Sequence, residues 1–334
     1  MIHIMSNKKN KNKGFPFVSI CTPTFNRRPF YDMIIRCFLS QTYPRDRMEW
    51  IIIDDGTDKI EDLVKHIPQV KYYKYDTKMT LGKKRNLMHE KSKGEFIVYM
   101  DDDDYYPSER VSHAVETLQK NPHVLAAGSS EMYIYFKHIN KMYQFGPYGP
   151  NHATAATFAF RRELLKQTSY DEFAALAEEK HFLKDYTIPF VQLDSLKTIL
   201  VFSHEHNSFD KKELLTQSEN QYMKVSTRTI NEFIQDKETI SFFLDKIDDA
   251  LKSYELGKLE HKPEVIRQIV EMKEKRNAII QQQMIQHLND LNGVNQQIQK
   301  IVGEHTQLIQ ILMKDNVEMK KRICVLEEIL KKSV

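Results

Sequence analysis

An apolar run, Phe96-Ile97-Val98-Tyr99-Met100, ends without transition in four consecutive aspartates, Asp101 to Asp104. A run this apolar is expected to be buried, so the carboxylates that follow it directly gather at the mouth of the strand it forms. Their mutual repulsion is unfavourable there unless a cation neutralises it. Oxygen-rich clusters of this kind suit Mg²⁺ or Mn²⁺, which keep waters and bridge to substrate phosphates. A solvated charge run, the bland alternative, needs no apolar strand in front of it.

A second run repeats the pattern: Trp50-Ile51-Ile52-Ile53 leads straight into Asp54-Asp55-Gly56-Thr57-Asp58. An Asx turn closing the strand would explain Asp55-Gly56 alone, but not why two apolar runs both end in acids. Around them, short apolar runs alternate with polar helical stretches, at 17–22, 48–54, 70–75, 95–101, 124–128 and 132–136. This alternation predicts an α/β fold with a mostly parallel sheet and flanking helices. In such sheets ligands bind beyond the carboxyl ends of the strands, where these acids lie. Leu81-Gly82-Lys83-Lys84-Arg85-Asn86 opens a helix between the two acidic strands, a position from which basic side chains and a helix N-terminus can meet a diphosphate.

The chain changes character near residue 210. Ten of its eleven prolines and seven of its ten glycines precede residue 190. Beyond about Leu214 the sequence reads as helices, the last starting at Lys262-Pro263. That helix repeats in sevens, with Leu288, Asn295, Val302, Ile309, Asn316, Ile323 and Leu330 at a, and Met284, Leu291, Ile298, His305, Leu312, Met319 and Leu326 at d. Eleven of these fourteen positions are apolar and the register is unbroken, which predicts a coiled coil joining two or three copies of the chain. The expected domains are a basic disordered arm (1–14), an α/β domain (15–213), a helical linker region (214–262) and the long helix (263–334).

Charge and cysteine usage narrow the function class. Lys+Arg 49 against Asp+Glu 46 gives a formal +3, and Lys8, Lys9, Lys11 and Lys13 crowd the first thirteen residues. The rest is close to neutral, which argues against a nucleic-acid binder. The three cysteines, Cys21, Cys37 and Cys324, form no CxxC pair, as expected for a reducing compartment. No run approaches the ~18–20 apolar residues that span a bilayer, and the N-terminus has no signal-peptide core. A soluble cytoplasmic protein is expected.

Taken in order, Thr22-Pro23-Thr24-Phe25-Asn26-Arg27, Ile53-Asp54-Asp55-Gly56-Thr57, Lys84-Arg85-Asn86 and the aspartate run resemble the family 2 glycosyltransferases of the GT-A fold, over about residues 15–210. The resemblance implies a nucleoside diphosphate sugar donor, a divalent metal (Mn²⁺ or Mg²⁺) and transfer with inversion. It implies that Pro23 and Phe25 line the uracil, that Asp55 is the base-binding acid, and that Arg85 lies near the uridine. Asp101 and Asp103 resemble the first and last acids of the DxD motif, Asp103 being the direct metal ligand and Asp102 lying nearer the ribose. This chain departs from the motif by having four acids. Glu178 and Glu179 stand where the family places its general base, Glu179 being the preferred candidate, and His204 or His206 resembles the histidine that closes the metal site in some GT-A enzymes. The stretch from Asn151 to Arg162 resembles the strand and helix start beneath the acceptor. DDDDYYP also resembles glycosyltransferases of large DNA viruses. The expected activity is metal-dependent transfer of a hexose from a UDP-sugar to a hydroxyl on a glycan or protein. The alternative is a catalytically silent sugar-binding scaffold assembled by its coiled coil.

Overall fold

The computed structural model describes residues 14–216 and 220–332. The expected basic arm, with Lys8, Lys9, Lys11 and Lys13, lies outside the described residues. The described chain falls into two units divided between Ile269 and Val270.

The first unit begins with β1 (Val18–Thr24), followed by α1 (Tyr31–Leu39), β2 (Met48–Asp54), α2 (Glu61–Val64), β3 (Val70–Lys74), α3 (Leu81–Lys91), β4 (Phe96–Tyr99) and α4 (Arg110–Lys120). Every residue of β1, β2 and β4 is buried, as expected for strands covered on both faces. Alternation along the strands divides them between two cores. Ile20, Trp50, Ile52 and Val98 pack with α1 and α4, whereas Cys21, Ile51, Ile53, Ile97 and Tyr99 pack with Met88 of α3 and with Phe160 and Phe182. The α1 stripe foreseen from spacing, Met33, Ile34, Cys37 and Phe38, is buried.

Strands β1 to β4 pair in parallel. Further along come β5 (Ala126–Gly128), β6 (Met132–Phe136), β7 (Lys141–Phe145), β8 (Ala159–Arg161), α5 (Glu179–Phe182), β9 (Phe190–Gln192) and β10 (Val201–Ser203). The main sheet has seven strands in the order β3-β2-β1-β4-β8-β5-β9, with β8 antiparallel to both its neighbours. This is the mixed, Rossmann-like sheet of a GT-A fold, and it puts the ends of β1, β2 and β4 side by side.

Residues 214–262 hold more than the expected helices. Besides α6 (Ile230–Phe233), α7 (Lys237–Ser241) and α8 (Ile247–Lys252), they contain β11 (Met223–Val225), which pairs antiparallel with β7. It completes a second sheet in the order β10-β6-β7-β11. Phe233, Ile234 and Phe243 pack on Tyr133, Tyr135 and Phe202 of that sheet. Phe243 stacks on Phe202 with ring centroids 4.3 Å apart.

The last helix, α9 (Pro263–Lys332), runs 70 residues, about 105 Å at the usual rise. In the second unit its a and d side chains lie bare, Leu288, Val302, Ile309 and Leu312 each being more than half exposed. No helix among the described residues is long and apolar enough to cross a membrane.

Candidate active site

A cleft open to solvent lies beyond the carboxyl ends of β1 and β4. One part of its wall comes from the turn after β1: Pro23, Phe25 and Arg27. Asn26 holds this turn in a left-handed conformation (φ 51°), and its side-chain oxygen accepts bonds from the Thr57 and Asp58 backbone N–H groups at 2.8 and 3.0 Å. Phe25 is flanked by two cations, with Lys78 Nζ 4.6 Å and Lys84 Nζ 5.8 Å from its ring centroid.

The acid run alternates in exposure. Asp102 and Asp104 are buried, whereas Asp101 and Asp103 are partly exposed. Arg27 lies between the middle two, its Nε 3.7 Å from Asp102 Oδ1 and its terminal nitrogen 3.5 Å from Asp103 Oδ2. His204 Nε2 is 3.4 Å from the same Asp103 oxygen. The four acids differ in ionisation. Burial raises Asp101, pushes Asp102 up to about 7, and raises Asp104 well above the usual range. Asp103 is desolvated too, but the His204 contact and the Arg27 charge hold it well below the usual carboxylate range. Burial pushes His204 down to about 3, so its ring is neutral, and its Nε2 also meets Asn207 Nδ2 at 2.8 Å. His206 is placed differently: its buried ring lies 6.3 Å from that of Tyr254, and it gives Arg27 only its backbone carbonyl, at 2.7 Å.

Two residues foreseen at the nucleotide turn inward instead. Asp55 has a fully buried side chain that accepts from Lys84 Nζ at 2.8 Å and from the Met79 N–H at 2.6 Å. Arg85 is 1% exposed and does not line the cavity. Its Nε bonds Glu178 at 2.7 Å, its terminal nitrogens lie 3.4 Å from Asp101, and its guanidinium sits 4.5 Å from the Tyr99 ring centroid. The cause is helical period. Gly82, Lys84, Arg85, Met88 and His89 form the buried face of α3, which turns Arg85 onto the sheet behind Asp101. Gly82 is needed there, because a Cβ would collide with the Asp171 carbonyl of the loop that leads to Glu178.

Glu178 is committed to Arg85, whereas Glu179, the first residue of α5, is not. Desolvation, and after it the neighbouring Glu178 charge, push Glu179 up to about 7. Neither glutamate lines the cavity, although Ala175 and Leu176 just before them do. Asp54 closes its strand by accepting from the Gly56 and Ile60 N–H groups and from the Tyr72 hydroxyl. Sequence reasoning missed several lining residues, among them Lys78, Lys262 and Glu264. Lys262 and Glu264 flank Pro263, so the only signal near them was a helix start.

Residues 19–174 match the glycosyl transferase family 2. Among curated proteins, the chain is 24% identical over 226 residues to a glycosyltransferase of Haemophilus influenzae, covering 63% of this chain and 84% of that protein. It is 25% identical over 116 residues to the poly(ribitol-phosphate) β-N-acetylglucosaminyltransferase TarS of Staphylococcus aureus, covering 31% of this chain and 19% of that one. A crystal structure of residues 1–349 of S. aureus TarS with UDP superposes with a TM-score of 0.46 at 20% identity, over 57% of this chain and 61% of that chain. Residues 19–174 thus match a glycosyl transferase family 2 domain, and the chain is similar to glycosyltransferases over that stretch and beyond it.

Proposed function

We propose that the chain transfers a hexose from a nucleoside diphosphate sugar, with UDP as the carrier, to a hydroxyl acceptor on a glycan or protein, with inversion and with Mn²⁺ or Mg²⁺. The observation that carries this reading is Asp103, which lines the donor cavity and has His204 Nε2 3.4 Å away. One is held ionised and the other neutral, the two states a metal ligand requires. Among the described residues no three His, Cys, Asp or Glu side chains form a ready metal cage. That suits Mg²⁺ or Mn²⁺, which are held by one or two protein groups, waters and substrate phosphates. Asp103 and His204 would hold the ion, with Asp101 on the same open side of the run. When bound, it would stabilise the charge developing on the leaving diphosphate.

The chain's own residues supply the rest. Pro23 and Phe25 offer an apolar wall for the base, Asp102 lies beside them for the ribose, and Arg27 adds positive charge beside Asp103. The name of the S. aureus relative supports a hexose or N-acetylhexosamine as the sugar. Glu179 takes the proton from the acceptor hydroxyl, since in-line attack needs a carboxylate on the far side of the sugar from the diphosphate.

The Glu179 assignment carries a pH dependence. A base works only when ionised, and this carboxyl titrates at about 7. The kcat/KM for transfer is therefore expected to fall tenfold per pH unit below about 7 and to level off above it. In Glu179→Gln, transfer is expected to drop about 10²- to 10⁴-fold with UDP binding retained. Loss of UDP binding with transfer would instead make Glu179 a structural residue.

The bare apolar stripe of α9 supports assembly of two or three copies through residues 284–330. Sedimentation equilibrium should give an integral dimer or trimer for the full chain. Ile309→Lys with Leu312→Lys should give a monomer of lower helicity, because buried lysines at a and d are strongly unfavourable. A monomeric parent chain would refute the assembly.

A further inference from the structure

Part of the cavity wall comes from far outside the family 2 domain. The segment from Tyr254 to Gln268 crosses the site as a strap, fastened at several points. Tyr254 Oη donates to Asp58 at 2.8 Å. The Leu256 carbonyl accepts from Asn26 Nδ2 at 3.0 Å and the Gly257 carbonyl from Arg27 at 3.1 Å. Gly257 must be glycine for this, since a Cβ would collide with the His206 ring and the Asn26 backbone. Glu264 pairs with Lys78. Gln268 accepts from the Ala175 N–H at 2.8 Å and donates to the Phe173 carbonyl at 2.7 Å, tying the strap to the loop before Glu178.

Within this strap, Lys262 is 5% exposed and lines the cavity. Its neighbours there are compensated: Lys84 by Asp55, Lys78 by Glu264, and Arg27 by Asp102 and Asp103. Lys262 makes a single hydrogen bond, Nζ to Ser208 Oγ at 3.1 Å, and no ion pair among the described residues. An ammonium has three donors, and burying one with a single neutral partner is costly. Burial and the Arg27 charge depress its pKa well below the usual lysine value, and the Asp103 and Asp102 charges, which Arg27 shares, offset only part of this. A buried lysine with no ion pair of its own, facing the cavity, is suited to an anion that arrives with the ligand.

We propose that Lys262, carried over the cavity by the strap of residues 254–268, binds the diphosphate of the donor, so that the segment beyond the family domain completes the donor site. This rests on reading the cavity as a nucleoside diphosphate site. Lys262 is thus a binding residue for the leaving group.

The test compares wild-type, Lys262→Met and Lys262→Arg full-length protein by calorimetric titration with UDP, with uridine, and by thermal melts with and without UDP, all in Mn²⁺. UDP is expected to bind Lys262→Met about 10- to 100-fold more weakly, the effect of losing a charged hydrogen bond. Uridine binding should not change, and Lys262→Arg should recover most of the UDP affinity. Without ligand Lys262→Met should melt higher than wild type, since an unpaired buried charge is gone, while its UDP-induced rise in Tm shrinks. Opposite signs in those two melts cannot come from a merely structural role. Equal UDP affinity in wild type and Lys262→Met, or equal weakening of UDP and uridine, would overturn the proposal. If wild type binds none of UDP, GDP and ADP, the reading of the cavity itself fails, an outcome distinct from the other two.

Discussion

Asp103→Asn is expected to lower sugar transfer by about a thousandfold or more, the scale of losing a group aimed at charge developing in the transition state. Of the four acids it alone combines partial exposure with a carboxyl held well below the usual range, next to a neutral His204. Asparagine has the same shape and can still accept from Arg27, so the fold should survive. Removing the charge takes away what a divalent ion needs. Steady-state transfer assays at saturating Mn²⁺, with sedimentation as a control for assembly, check this. Activity within tenfold of wild type would place the metal elsewhere along Asp101–Asp104.

The largest effect on stability is expected from Arg85→Met. Arg85 is the shared counter-charge of Glu178, at 2.7 Å, and Asp101, at 3.4 Å, in a site almost closed to water. Removing one partner of a buried ionic cluster costs about 3–5 kcal/mol, because the others stay buried and unpaired. That is a large share of the roughly 5–15 kcal/mol that holds a typical domain together. It corresponds to a fall in Tm of roughly 6–20 °C for a unit of this size. The sign with pH follows. Asp101, already raised by burial, rises further once the Arg85 charge is gone, so the penalty grows as pH climbs through the unfolded carboxylate range and shrinks under acid conditions. Melts of wild type and Arg85→Met at pH 5 and pH 8 should show the wider gap at pH 8. An equal gap at both would mean that Arg85 acts through packing on Tyr99 alone.

Much of this architecture was legible because it rests on burial and period. The runs at 17–22, 48–54, 70–75 and 95–101 became β1 to β4, and acids placed directly after apolar residues had to end at strand mouths. Asp101 and Asp103 are partly exposed there, and Asp102 and Asp104 are buried. What escaped was set by tertiary pairing. Strands β8 to β11 are three residues each, too short to show a period, and are held by ladder bonds to neighbours distant in sequence. Arg85 and Asp55 were placed at the ligand on residue type and position. Whether a side chain points at the cavity or behind it depends on helix rotation, and α3 turns Lys84 to the cavity wall but Arg85 behind Asp101. Lys262 was invisible for a different reason. Nothing in a lysine before a helix-starting proline tells that the chain has come back across a cavity built by residues 23–27 and 101–103.

The most direct test of the donor site is calorimetric titration of UDP into the wild-type chain and Asp103→Asn, each with and without Mn²⁺. Binding in wild type that strengthens with Mn²⁺, and an Asp103→Asn variant in which Mn²⁺ no longer strengthens it, is the expected result. UDP affinity that is the same with and without Mn²⁺ in both proteins would contradict a metal held by Asp103.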